Sequence, residues 1–320
     1  MKIKDLTVGQ KASLRLVLAG ADIRKTKGNP PRDFLSVTLS DGNDTLDGKI
    51  WNYEAALGVP ETGKVYDVVG IIGDYQGKKQ VTLQSLPLSN DQDMTAFMPC
   101  YTENAQRYYD AALTLIEQIE NVDLRDFTKL VYTRYKDSII SATSAKGIHH
   151  CGYGGNLVHC LQVAGLACQI QNFLTAIWHY EPISRDLCIA GGLLHDIGKL
   201  PTYKVNGAAI EYTRIGKEQD HIVLGIRMLD SILAGLPYSN AAWADRLRHI
   251  IASHHGEKEF GSPVVPVFLE AHIINWADGI SATTDTVMAA NAKAIEEGKE
   301  YTDKIWTCHN CEYILQKDVM

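Results

Sequence analysis

The chain has 320 residues, 45% hydrophobic and 22% charged, with a formal net charge of −7. That length leaves room for two domains with a core each, the composition excludes a low-complexity or fibrous chain, and the acidic balance excludes a protein that simply coats nucleic acid. The charge is uneven: residues 1–90 hold 12 Lys+Arg against 10 Asp+Glu, a balance of +2, and the remainder holds 19 against 28, a balance of −9. The first part is the candidate for touching a polyanion and the second for holding cations. No apolar signal region follows Met1-Lys2-Ile3-Lys4. The longest apolar run, residues 161–178, is interrupted by Gln162, Gln169, Gln171 and Asn172, which speaks against a membrane span. Seven cysteines without regular spacing fit reduced thiols better than a disulfide framework. The expectation is a cytoplasmic protein with no membrane partner, with homo-oligomerisation left open.

Residues 12–88 read as short strands with turn punctuation. Segments 13–18 and 34–40 alternate polar and apolar side chains; Asp41-Gly42-Asn43-Asp44 turns the chain into 45–51; segments 65–72 and 80–86 follow, with Tyr75-Gln76-Gly77-Lys78-Lys79 as the loop between them. Five strands with one helical or loop insertion around 53–57 suit a small Greek-key barrel of the oligonucleotide-binding (OB) type. Such barrels hold single strands with stacking aromatics and backbone-tracking cations. The candidates here are Arg15, Arg24, Lys25, Lys27, Arg32, Phe34, Lys49, Trp51, Tyr53, Tyr75, Lys78 and Lys79. The basic loop Arg24-Lys25-Thr26-Lys27-Gly28-Asn29 is the most specific of these signals, although strand aromatics such as Phe34 and Trp51 usually fill a core.

Proline and polar residues from Leu86 to Asp93 end the strand pattern, and the period then becomes helical. Residues 102–121, 124–141, 156–173, 185–194, 218–234, 243–253 and 264–282 carry apolar side chains at i, i+3 or i+4, with a short hairpin around 203–212. The predicted architecture is a small all-β OB-type barrel over 1–89, a linker over 90–100, and an all-α helical bundle over 101–320 whose residues after about 300 form an extension.

The histidines of the helical part sit at helix ends. His159 lies in the first turns of an apolar helix; His195-Asp196 ends the next; His221 opens another; His254-His255 closes the one after; Asp278 lies within the last. Taken singly, each reads as a satisfied core or capping residue. Five consecutive helices each offering a metal-ligand side chain are explained better by convergence on a shared ion, as bundles build such sites. The spacings, 36 residues from His159 to His195, then 25 from Asp196 to His221, 33 to His254 and 24 to Asp278, each allow a helix and its return.

His…His-Asp…His…His…Asp, with Leu194-His195-Asp196-Ile197-Gly198-Lys199 at its centre, resembles the signature of the HD-domain metal-dependent phosphohydrolases. The barrel ahead of it, Lys49-Ile50-Trp51 within that barrel, and His149-His150 with Gly154-Gly155-Asn156-Leu157-Val158-His159 leading into the bundle make the whole similar to the YhaM-type 3′–5′ exoribonucleases. The resemblance implies that His159, His195, Asp196 and Asp278 hold one divalent metal and that Asp196 bridges to a second held by His221 and His254, or by His255 in its place. Mixed imidazole and carboxylate ligands suit manganese, iron, cobalt, nickel or zinc without choosing among them. Lys199 follows Asp196 by three residues, within reach of a scissile phosphate, or is simply a lysine at a helix end. His149, His150 and His255 are candidate substrate-binding groups.

The leading expectation is a metal-dependent 3′–5′ exonuclease on single-stranded RNA, or DNA, in which Asp196 and Lys199 act in catalysis. A hydrolase of free or cyclic nucleotides with a regulatory barrel, and a non-catalytic single-strand-binding protein with a structural metal, are the alternatives. Cys308-His309-Asn310-Cys311 offers only three local ligands, short of a structural zinc site, and reads as unligated thiols. His179, His249 and His272 read as structural.

Overall fold

The computed structural model of the protein describes residues 2–315 except 43, 94–96, 98–104, 146–149, 179–182 and 207–208. The chain divides into two compact units, residues 1–100 with 204–211 and residues 101–203 with 212–320.

The first unit is an OB-type barrel. Its strands are β1 (Lys11–Lys25), β2 (Asp33–Ser40), β3 (Thr45–Trp51), β4 (Val65–Tyr75) and β5 (Lys78–Ser85), and they close in the order β1-β2-β3-β5-β4. All pairings are antiparallel except β3 with β5. The period of two puts Leu35, Val37 and Leu39 of β2 inside with Leu14, Leu16 and Leu18 of β1, against Leu46, Val68, Ile72, Val81 and Leu83. A register shift between Leu18 and Gly20 bends β1, so that one long strand pairs with β4 at its start and β2 at its end.

Two local expectations change. Arg24 and Lys25 belong to β1, where they pair with Phe34 and Asp33, so the predicted basic loop begins only after them. The β4–β5 loop shortens to Gln76-Gly77, whose φ of 55° and 79° suit the tight primed turn favoured by twisted hairpins. After β5 the chain runs back along β4: Leu88 bridges to Tyr66, and the Gln92 side chain accepts from the Val65 amide and donates to its carbonyl. Most of the predicted linker beyond this point lies outside the described residues.

The second unit contains α1 (Ala105–Ile116), α2 (Val122–Arg134), α3 (Lys136–Ser141), α4 (Gly155–Trp178), α5 (Arg185–Leu194), α6 (Lys199–Thr202), α7 (Arg214–Leu233), α8 (Ala242–Ser253) and α9 (Leu269–Glu296); between α6 and α7 comes the hairpin β6 (Tyr203–Asn206) and β7 (Ala209–Tyr212). Helix α5 is the axis. Ser184 caps it by accepting from the Leu187 amide, and each of residues 187–194 is buried, as expected of a helix apolar all round. It packs against α2, α4, α8 and α9. Helix α4 is long and apolar enough to cross a membrane by length and composition; its Leu157, Val163, Ala164, Ala167 and Cys168 belong to the bundle core.

The predicted helix 124–141 is two helices, broken at Tyr135. The helix expected from 264 starts at Leu269, because Pro263 and Pro266 break the preceding segment, and it continues to Glu296. Helix α7 is interrupted at Asp220, whose φ of 58° and ψ of 166° are not helical.

Gly198, between α5 and α6, sits against the α7 backbone: a Cβ there would lie 1.8 Å from the His221 carbonyl oxygen and 2.5 Å from the Gly225 nitrogen. Only glycine lets the end of α5 approach α7 this closely. Gly198→Ala is expected to destabilise the protein by about 1–3 kcal/mol in denaturant titration; an unchanged midpoint would contradict this packing.

Candidate metal centre

The end of α5 brings Asp196 to the middle of four imidazoles. His195 is the C-cap of α5 and His254 that of α8, His159 lies in the second turn of α4, His221 follows the break in α7, and Asp278 faces inward from α9. Asp196 Oδ2 is 3.5 Å from His159 Nε2 and 3.4 Å from His195 Nε2. Its other oxygen, Oδ1, is 3.6 Å from His221 Nε2 and 3.5 Å from His254 Nε2. Asp278 Oδ1 is 3.0 Å from His159 Nε2 and 4.0 Å from His195 Nε2. The ligand atoms of His159, His195 and Asp196 lie within 4.8 Å of one another, and so do those of His221, His254 and His255; both groups could hold a metal ion.

The hydrogen bonds on the far side of each ring fix what the near side offers. His195 Nδ1 bonds the Gly192 carbonyl (2.9 Å) and His254 Nδ1 the Ile251 carbonyl (2.8 Å); both acceptors lack hydrogen, so both Nδ1 atoms donate. His221 Nδ1 lies 2.7 Å from the Asp220 carboxylate, which also accepts the His221 amide. His159 Nδ1 lies 3.0 Å from Ser281 Oγ, whose own proton goes to Gln162 Oε1 (2.8 Å), so the ring again donates. In the neutral rings four Nε2 lone pairs therefore point at one another and at two carboxylates. Asp196 Oδ1, His221 Nε2 and His254 Nε2 are buried with no hydrogen-bond partner. Uncompensated buried polar atoms of this kind cost about 1–3 kcal/mol each. Buried acceptors facing one another, three of them without a hydrogen to accept, fit divalent cations, whose bonds to imidazole and carboxylate need these electron pairs.

Lys199 is not the exposed helix-end lysine that its sequence context also allowed. It is buried, with Nζ 2.6 Å from Asp196 Oδ2. Burial lowers the ammonium's pKa, but the Asp196 carboxylate outweighs it and raises it. Asp196 is held well below the carboxylate range: burial opposes this, and Lys199 and His195 more than offset it. Burial pushes His159 down to about 4 and also lowers His254 and His255. His195 is raised, because Asp196 overcomes its burial. Asp278 is lowered against burial by its bond to His159, and the His221 ring holds Asp220 at about 2.

His255 stacks edge-on against His254 at 4.3 Å, and its Nδ1 bonds the Phe260 carbonyl at 2.8 Å. The structure thus brings His254 and His255 into one group instead of choosing between them. His150 is buried beside His159, ring centroids 5.2 Å apart, with Nε2 3.1 Å from Gln162 Oε1 and its amide donating to Asp285. His149 lies outside the described residues, as does His179. Cys308 and Cys311 flank a turn with positive φ at His309 and Asn310, and neither is in a metal-type group among the described residues.

Four residues of this site were not singled out from sequence: Gln162, Asp220, Ser281 and Asp285. Gln162 and Ser281 follow His159 and Asp278 by three positions, the helical spacing that shares a face, and that was the available signal.

On the barrel the strand register lines up Arg24 of β1, Phe34 of β2 and Trp51 of β3 in one row across the sheet. Lys25, one position further, takes the alternate face, and Lys27 lies in the loop beyond. Phe34 and Trp51 stack with centroids 5.0 Å apart, and Lys49 Nζ lies 5.9, 5.3 and 4.8 Å from the rings of Phe34, Trp51 and Tyr75. Trp51 and Tyr75 are 46% and 55% exposed, so these aromatics form a surface platform and do not fill the core.

Residues 156–283 match the HD domain family. The 3′-5′ exoribonuclease YhaM of Geobacillus sp. (strain WCH70) is 26% identical over 95% of this chain and 91% of its own length. The protein of the same name from Listeria welshimeri is 26% identical over 97% of this chain and 96% of its own. Among solved structures, a domain of replication protein A from Methanococcus maripaludis aligns with a TM-score of 0.25 and 18% identity, over 29% of this chain and 98% of that one.

The lowered groups set a pH dependence for the metal-free protein. His159 binds its proton near 6.5 when unfolded and only at about 4 when folded; His254, Asp278 and Asp196 are shifted in the same direction, His195 is shifted against them, and Lys199 stays protonated in both states over this range. The unfolded chain therefore binds more protons below pH 6.5, and stability falls as pH drops from there toward 4. Denaturation midpoints of chelator-treated protein should fall over that window, and less steeply in His159→Gln. A midpoint that rises with acidification would contradict the assignment.

Proposed function

We propose that this chain, an HD-domain protein similar along nearly its whole length to the YhaM exoribonucleases, is a metal-dependent phosphodiester hydrolase that degrades single-stranded RNA from its 3′ end. The observation that carries the reading is the donor set: buried imidazole and carboxylate acceptors converge on the two oxygens of Asp196, three of them without a protein partner. His159, His195, Asp278 and Asp196 Oδ2 would hold one divalent ion, and Asp196 Oδ1, His221 and His254, with His255 beside them, a second. Ions bound there supply a nucleophilic water at neutral pH and neutralise charge on the phosphoryl oxygens. Manganese, iron, cobalt, nickel and zinc all suit these ligands.

The chain's own residues do the rest. Ser281, Asp220 and the carbonyls of Gly192 and Ile251 hold each ring with Nε2 inward. Lys199, paired with Asp196 Oδ2, keeps that carboxylate ionised inside the protein and would offer its ammonium to a phosphate oxygen of the substrate. His150 and Gln162 brace Ser281, and through it His159. Residues 1–89 bind the strand, with bases stacking on Phe34, Trp51 and Tyr75 and phosphates meeting Lys49 and Arg24; residues 101–320 cut it. Similarity to enzymes named 3′-5′ exoribonuclease supports the direction and the RNA substrate. A cytoplasmic setting belongs to the same reading, supported by six described cysteines that are all free thiols.

Two outcomes test it. A 5′-labelled single-stranded oligoribonucleotide should be shortened stepwise by manganese-loaded protein, and Asp196→Ala should reduce the rate by at least about 10³-fold, as for loss of a principal transition-state interaction. Equal rates for the two proteins, or activity confined to free nucleotides and unaffected by removing residues 1–90, would overturn it. Trp51→Ala should weaken oligonucleotide binding by about 5- to 100-fold, the range for one stacked base; unchanged affinity by fluorescence anisotropy would remove the barrel from the account.

A further inference from the structure

The metal centre is closed on most sides. Side-chain exposure is 0% for His159 and His195, 1% for Asp196 and His254 and 7% for His221, but 17% for Asp278. Asp278 and His255 line a groove of about 1210 Å³ whose other walls include Trp276, Ile280, Phe260 and Trp306. A phosphodiester that reaches the donor cluster along this groove passes these aromatic side chains. Trp276 is 48% exposed, Phe260 68% and Trp306 74%. Single exposed hydrophobics are ordinary, but several converging on one groove beside a reactive centre mark a binding surface.

We infer that this groove is a second nucleobase site, in which the last bases of a single strand stack on Trp276 and Trp306 while the phosphodiester they flank lies at Asp278. The inference rests on the function proposed above and assigns it a substrate-positioning element within the helical unit. No lysine or arginine lines the groove, so it selects flat apolar faces and leaves the phosphate charge to the donor cluster. Its volume exceeds the roughly 300–1,000 Å³ of ordinary small-ligand pockets, enough for more than one nucleotide. On α9, Trp276, Gly279, Ile280 and Thr283 share one face, and a Cβ at Gly279 would meet nothing within 4 Å, so the helix surface beside Trp276 is left open. Stacking accepts any base, because every base offers a flat π-face.

Trp276→Ala and Trp306→Ala remove the platform, and Gly279→Trp, whose Cβ would meet nothing within 4 Å, puts an indole into the groove. Each is to be assayed as the full manganese-loaded chain on a single-stranded oligoribonucleotide and on methyl p-nitrophenyl phosphate, a diester with no base. In parallel, anisotropy reads binding of a 5′-fluorescent trinucleotide in chelator, in a Trp51→Ala background. The ratio of kcat/KM for the oligonucleotide to that for the small diester should fall tenfold or more in Trp276→Ala and Gly279→Trp, and trinucleotide affinity at least fivefold. Ratios and affinities within twofold of the parent would overturn the inference. If the parent cleaves neither substrate, the proposed function fails and the trinucleotide decides alone: weaker binding in Gly279→Trp supports the groove, and unchanged or undetectable binding refutes it.

Discussion

Everything in the helical unit turns on the burial of one carboxylate. Asp196 is 1% exposed, and an ion moved into such surroundings without compensation costs several kcal/mol. The fold provides the compensation on Oδ2 through Lys199, and on Oδ1 it provides only lone pairs. That asymmetry distinguishes Asp196 from one half of a satisfied buried ion pair and leaves Oδ1 able to meet a cation. The helices around it are the means: α5 delivers Asp196 from an apolar axis, and α4, α7, α8 and α9 each bring one side chain to it.

Orientation is fixed as firmly as position. Each of the four imidazoles is tied by Nδ1 to a different partner: a hydroxyl, two carbonyls and a carboxylate. The break at Asp220 serves the same purpose, because its carboxylate takes both the amide and the ring of the next residue and so aims His221 out of the run of α7. With the rings held this way, little reorganisation is needed when a cation binds, which is the condition for electrostatic catalysis to be effective.

The main outline was readable from the amino-acid order because its signals are periodic. Alternation marked β2, and the apolar segment Leu187–Leu194, set between Ser184 and His195, gave α5 with the observed ends. The spacing of His159, His195-Asp196, His221, His254 and Asp278 was enough to suggest that they meet. What failed to show was set by partners distant in sequence or by local backbone breaks that apolar spacing does not register. The row Arg24-Phe34-Trp51 depends on strand register, which no single strand carries. The start of α9 at Leu269 followed from Pro263 and Pro266, which apolar spacing alone ignores. Asp220 needed a positive φ, and Ser281 needed the identity of the partner that its hydroxyl meets, 122 residues away.

The barrel and the bundle differ in charge and shape. The first carries the small positive balance and an exposed aromatic row with a lysine above it; the second carries the acidic excess and the donor cluster. The central claim, that Asp196 joins two cation sites, is tested most directly by the metal content of purified protein dialysed against manganese. The account predicts about two ions per chain, about one in His221→Ala, and loss of both in Asp196→Asn with the fold retained by circular dichroism. An Asp196→Asn protein that keeps the same metal content as the parent would contradict it.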